Sequence, residues 1–199
     1  MTQNLLIEIL LLLVVLFFVY LFVTVSMSDF TYLKSPIDNQ TYMVQDIEDR
    51  EKASEILSII KQKINILRDH LLKSDNIKEY EPFRRYIKQF CERSKNVELY
   101  ENIPDGKSTS YTVNKGDEIA LCLRSFRTKN LHDVNLITYV VIHELSHIAC
   151  PDIDHTPLFK EIFKFFLIIS ANLGIYRITD YQQFPVEYCG MPINENLIK

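Results

Sequence analysis

Apolar positions along this chain change rhythm several times, and each rhythm predicts a different element. From Leu5 to Val25 almost every position is apolar, with Glu8 the only charge. A helix that is apolar all round faces lipid rather than a single core, and the run is long enough to span a hydrocarbon layer. Residues 1–25 are therefore expected to form an N-terminal transmembrane helix. A cleaved signal peptide is the rival, but no basic residue precedes the run, the run exceeds a usual signal core, and no small-residue cleavage pattern follows. Ser26 to Gln45 is polar, with turn signals at Pro36 and Asp38-Asn39, and is expected to be an irregular or extended tether. From Asp46 to about Lys73 the period becomes helical. Leu57, Ile60, Ile64, Leu67 and Leu71 recur at threes and fours and predict one buried stripe, while Asp46, Glu48, Asp49 and Glu51 suit the helix N-terminus. A packing helix is the preferred reading over a short coiled-coil seam, and His70 reads as a surface residue on it.

A shorter helix is expected from Glu81 to Arg93, with Phe83, Tyr86, Ile87 and Phe90 on one side. Its Arg84, Arg85 and Lys88 read as a solvated face. Three strand signals follow, at Val97–Tyr100, Ser110–Val113 and Ile119–Arg124, separated by turns at Pro104-Asp105-Gly106 and Asn114-Lys115-Gly116-Asp117. They predict a small antiparallel meander. After a loop over 125–130, an apolar run (Leu136 to Ile142) predicts a buried helix, with His132 and Asp133 as capping residues at its start. Pro151 interrupts this helix. Thr156-Pro157 reads as the N-cap and first residue of another, running to about Leu173. The fold class expected is α+β.

Composition narrows the function classes. The chain has 199 residues and a formal net charge of −4. No basic block stands out, so there is no strong nucleic-acid signal, and no glycine-rich loop is present to cradle a phosphate. The four cysteines (Cys91, Cys122, Cys150, Cys189) are widely spaced and form no metal-binding pair. Scattered free thiols suit a reducing compartment, although an even count allows two bridges. Basic residues follow the apolar run (Lys34, Arg50, Lys52) and none precedes it, which favours a single-pass membrane protein with its domain on the cytoplasmic side.

The candidate chemistry lies in His143-Glu144-Leu145-Ser146-His147, an HExxH motif on the predicted buried helix. Positions i and i+4 share a helix face, so His143 and His147 can present their rings to one metal ion. Glu144 is placed to take a proton from a metal-bound water. Catalytic zinc usually takes three protein ligands and keeps a position for water. His155, at the mouth of the next helix, is the preferred third ligand, with Asp152, Asp154, Cys150 and Glu161 as rivals. Asp152 and Asp154 also have readings as turn residues or as partners that orient a ligand ring.

The stretch from His143 to Phe163 resembles the HExxH-x7-H-x3-F signature of the WLM and SprT-like zinc metallopeptidases, with Phe159 matching the aromatic four residues after the third His. The resemblance covers about residues 116–173. It implies a zincin-like domain over residues 46–199, with a small antiparallel sheet and an active-site helix pair. It also implies Zn2+ held by His143, His147 and His155, Glu144 as the catalytic base, and a protein or peptide substrate lying beside an edge strand, for which Ile119–Arg124 is the candidate. Tyr176, Tyr181 and Tyr188 each read first as packing aromatics; of the three, Tyr188 is the candidate to return over the site as an oxyanion donor. The function expected is a membrane-anchored zinc metallopeptidase; the alternative is a zincin-fold membrane protein with a structural zinc or a binding role.

Overall fold

The computed structural model describes residues 2–27, 29–73, 78–103 and 109–198, with side chains of the first helix described from 8 to 20. In chain order the elements are α1 (Thr2–Met27), β1 (Phe30–Lys34), β2 (Thr41–Gln45), α2 (Arg50–Leu72), a 3-10 turn (Lys78–Phe83), α3 (Arg84–Arg93), β3 (Glu98–Asn102), β4 (Tyr111–Val113), β5 (Glu118–Cys122), α4 (Val134–Ala149), α5 (Pro157–Asn172), β6 (Val186–Tyr188) and β7 (Met191–Ile193). This is an α+β arrangement, as the periodicity predicts. The turn expected at Pro104-Asp105-Gly106 lies outside the described residues.

The transmembrane expectation is corrected. Among the described residues, no helix is long and apolar enough to cross a membrane. The single-pass membrane placement, and the cytoplasmic orientation built on it, go with that helix.

α2 buries the predicted stripe. Leu57 and Ile60 are 0% exposed, and Ile64, Leu67 and Leu71 are 1% exposed. Fully burying an aliphatic side chain contributes about 1.5–3 kcal/mol, so this face makes α2 a packing helix. α4 is buried nearly all round, because α2, α3 and α5 and the strands β4 and β5 all touch it. α3 buries Ile87, Phe90 and Cys91. Phe83, just ahead of it, stacks on Phe165 of α5 at 4.3 Å between ring centres.

The sheet is not the expected meander. Its order is β3-β5-β4, with β5 in the middle. β3 runs parallel to β5, from Glu98↔Glu118 to Asn102↔Cys122, and β4 runs antiparallel to it, from Tyr111↔Ala120 to Val113↔Glu118. The reason is apolarity. Ile119, Ala120, Leu121 and Cys122 are all 0% exposed, and a strand buried on both faces belongs inside a sheet. The polar β4 takes an edge. Between β4 and β5 the expected turn forms, with positive φ at Asn114, Lys115 and Gly116. A side chain at Gly116 would meet the Arg93 carbonyl oxygen at 3.0 Å.

The stretch expected as a tether holds the β1–β2 hairpin. It is fastened to the sheet by a buried charge network. The Glu101 carboxylate accepts from the Gln45 backbone N–H (2.8 Å), from Gln45 Nε2 (2.9 Å) and from Arg124 Nε (2.7 Å). Arg124 also pairs with Asp49 at the start of α2. At the opposite end of the chain, a disulfide joins Cys122 at the end of β5 to Cys189 in the β6–β7 turn, with Cα atoms 6.3 Å apart. The sequence pattern gave no reason to expect this bridge. Cys91 and Cys150 are buried and stand outside this bridge.

Candidate metal centre

α4 carries His143, Glu144 and His147 on consecutive turns, and its last turn ends at Cys150, whose extended backbone (φ −80°, ψ 133°) breaks the helix ahead of Pro151. The chain then turns back. Thr156 N-caps α5, its Oγ1 accepting from the Phe159 N–H at 3.3 Å. Thr156 Oγ1 also donates to Asp152 Oδ2 (2.6 Å), and the Thr156 N–H donates to the Asp154 carbonyl (2.8 Å). These bonds tighten the turn and place His155 over α4. The role of Asp152 is thus the turn role.

The three ring nitrogens converge. His143 Nε2 lies 3.2 Å from His147 Nε2 and 3.0 Å from His155 Nε2, and His147 Nε2 lies 3.2 Å from His155 Nε2. Three nitrogens held tetrahedrally at the usual zinc–nitrogen bond length stand roughly 3.3 Å apart, so this donor set could hold a zinc ion. Among the described residues it is the one group of three or more His, Cys, Asp or Glu side chains that close together. Asp152, Asp154, Cys150 and Glu161 do not join it. Burial, reinforced by the neighbouring His147 and His155, pushes His143 down to about 3, and burial with His155 and Lys115 pushes His147 down to about 4. Both rings are therefore neutral at pH 7, the form in which imidazole binds metal.

Phe159 explains how the rings hold their positions. It stacks on His147 at 4.2 Å and meets His143 and His155 at 4.9 Å each. Phe159 is itself 1% exposed. Phe163, one turn later, meets the edge of His143 at 5.1 Å.

Glu144 is 6% exposed and faces the same cleft. Thr112 Oγ1 on β4 donates to its Oε2 at 3.0 Å. Burial raises the Glu144 carboxyl to about 8, against the lowering effect of the Thr112 bond. Thr112 was not singled out in the sequence; its alternation within a strand gave no signal of which face it takes.

The cleft holds about 720 Å³ and is lined by the three histidines, Glu144 and residues 109–112. The strand beside the site is β4, not Ile119–Arg124, which is central and paired on both sides. Tyr188 does return to the cleft wall. It is 3% exposed, its hydroxyl lies 2.7 Å from Ser110 Oγ, and its ring stacks on His132 at 5.0 Å. Tyr176 and Tyr181 instead pack around Tyr139. Asp133 caps α4 as expected, accepting from the Asn135 N–H at 2.9 Å. His132 does not cap; it is half-buried behind Tyr188.

No protein-family model matches the chain. Among solved structures it is similar to a mutant of Wss1 from S. pombe, with a TM-score of 0.42 and 20% identity, covering 63% of this chain and 91% of that one. A likeness this loose leaves the chemistry to be read from the site itself. Among sequences, it is 25% identical over 171 residues to "Uncharacterized protein 136R" of Invertebrate iridescent virus 6, covering 80% of this chain and 87% of that protein. It is 47% identical to "Uncharacterized protein R325" of Acanthamoeba polyphaga mimivirus over 199 residues, 100% of both chains. The chain therefore belongs to the same family as that mimivirus protein.

Proposed function

We propose that this protein is a zinc-dependent peptide hydrolase. The observation that carries the reading is the triangle of Nε2 atoms, 3.0–3.2 Å on a side, in one cleft with the buried carboxylate of Glu144. A zinc ion held by His143, His147 and His155 would supply an acidified water and a Lewis acid for a carbonyl oxygen.

The chain's own residues do the rest. Glu144 accepts the nucleophile's proton at Oε1 and delivers it to the leaving amine. Burial raises its proton affinity, a zinc cation on the histidines would favour its ionised form, and the Thr112 hydroxyl fixes its orientation through Oε2. An extended peptide lies along the open edge of β4, where residues 109–112 line the cleft, and main-chain hydrogen bonds hold it as an added strand. A structural zinc site is closed by four ligands; here the three histidines gather no fourth among the described residues, and His155 is exposed. That favours the hydrolytic reading over the structural one.

Replacing Glu144 with Gln keeps the shape and the three nitrogens but removes the base. The variant is expected to retain one zinc per chain and to lose peptide cleavage by a factor on the order of 10²–10⁴. Undiminished cleavage by Glu144→Gln would remove the role given to Glu144.

A further inference from the structure

The cleft has two unlike flanks. One is polar, formed by Thr109, Ser110, Thr112 and Lys115. The other is apolar and is built against the first zinc-site histidine. Tyr139 and Val140 lie one turn before His143 on α4. Phe163 meets His143 at 5.1 Å and Tyr139 at 5.2 Å. Ile193, at the end of β7, and Leu197 line the same cleft and pack half-buried against the core.

The outer wall of this flank is the chain's own segment after β7. Among the described residues, its polar tie to α5 is a pair between Lys160 Nζ and Glu195 Oε1 at 3.9 Å, with both side chains largely exposed. Such a pair holds weakly, so apolar packing of Ile193 and Leu197 sets the wall.

We propose that the recess formed by Tyr139, Val140, Phe163, Ile193 and Leu197 receives a bulky apolar or aromatic side chain of the residue next to the scissile bond. This deepens the peptidase reading and rests on it. The substrate class is then an extended peptide carrying Phe, Leu or Met at that position. An acidic side chain is disfavoured, because the five recess residues carry no charge, Lys160 of the same cleft already faces Glu195, and burying a poorly paired charge is costly. A small side chain leaves the recess unfilled and binds less tightly.

Binding to the inactive protein tests this separately from turnover. The full chain carrying Glu144→Gln, loaded with zinc, is titrated by calorimetry with a set of blocked Ala-Gly hexapeptides. They differ at one position only, where Phe, Leu, Ala or Asp is placed in turn. The expected order of affinity is Phe and Leu first, Ala at least about ten-fold weaker, and Asp weakest. In a second protein that also carries Leu197→Asp, the advantage of the Phe peptide over the Ala peptide should fall several-fold. Equal affinity for the Phe, Ala and Asp peptides overturns the recess, whatever the variant does. Cleavage by the unmodified chain is read in parallel. A Phe preference in binding without any cleavage supports the recess and counts against the peptidase reading. Cleavage with no preference at that position overturns the recess and leaves the peptidase reading intact.

Discussion

At the scale of single residues, the gathering of the three histidines depends on a phenylalanine as much as on the imidazoles themselves. Phe159 touches all three imidazoles and has almost no contact with solvent. Truncating it removes a large buried ring and the surface that orients the nitrogens. Phe159→Ala is expected to cost about 3–5 kcal/mol of stability and to weaken zinc binding about 10–100-fold, as loss of an orienting neighbour does. Paired denaturant melts and zinc titrations of the two proteins check both effects. His132 offers a second residue-level test. Burial pushes its pKa down, and its Nε2 has no hydrogen-bond partner among the described residues. The unfolded chain therefore takes up that proton first, so stability is full above the ordinary histidine value of about 6.5 and falls as pH drops below it. In metal-free protein, His132→Phe should keep the stack on Tyr188 and reduce the acid-side loss of stability relative to wild type. An unchanged pH slope in urea unfolding would count against this account of His132.

At the scale of elements, the sequence was readable wherever periodicity alone decided the outcome. The α2 stripe, the N-cap at Thr156 and the break at Pro151 all follow from local chemistry, and so does the Asn114–Asp117 turn. Strand order did not. The strand signals at 97–100, 110–113 and 119–124 say nothing about which pairs with which, and only the burial of β5 on both faces explains its central place. The β1–β2 hairpin was hidden for a related reason. Its strands are only five residues each, with Tyr42 and Val44 alternating into the core between more exposed neighbours, and it is fastened through Glu101, Arg124 and Asp49, residues far apart in sequence. Removing one partner of a buried ion pair strands the other charge. Glu101→Ala is thus expected to destabilise the protein by about 3–5 kcal/mol, measured by thermal or urea unfolding. A loss below about 1 kcal/mol, the range of exposed pairs, would show the network to be peripheral.

At the scale of the whole molecule, the site is assembled from distant parts of one chain. α4 supplies two histidines and the carboxylate, the α4–α5 turn supplies the third histidine, and β4 supplies the threonine that steadies Glu144. The segment from β6 onward closes the far wall and is bonded to β5 through Cys122 and Cys189. Of this assembly, the sequence disclosed the gathering of His143, His147 and His155 with Glu144 beside them, because their spacing is a property of one helix and one turn. Thr112, the disulfide and the apolar flank depend on tertiary packing and left no local pattern. The apolar run at the start of the chain pointed to a membrane span that the described helices do not support. The central claim is that one zinc ion on three histidines makes this cleft a peptide hydrolase. Its most direct test is to strip the full chain of metal and add zinc back in steps while following cleavage of a mixed peptide library. The account predicts no cleavage without metal, a rise in proportion to added zinc, and a plateau at one equivalent. Cleavage that does not depend on zinc, or zinc bound at one equivalent with no cleavage of any peptide, would contradict it.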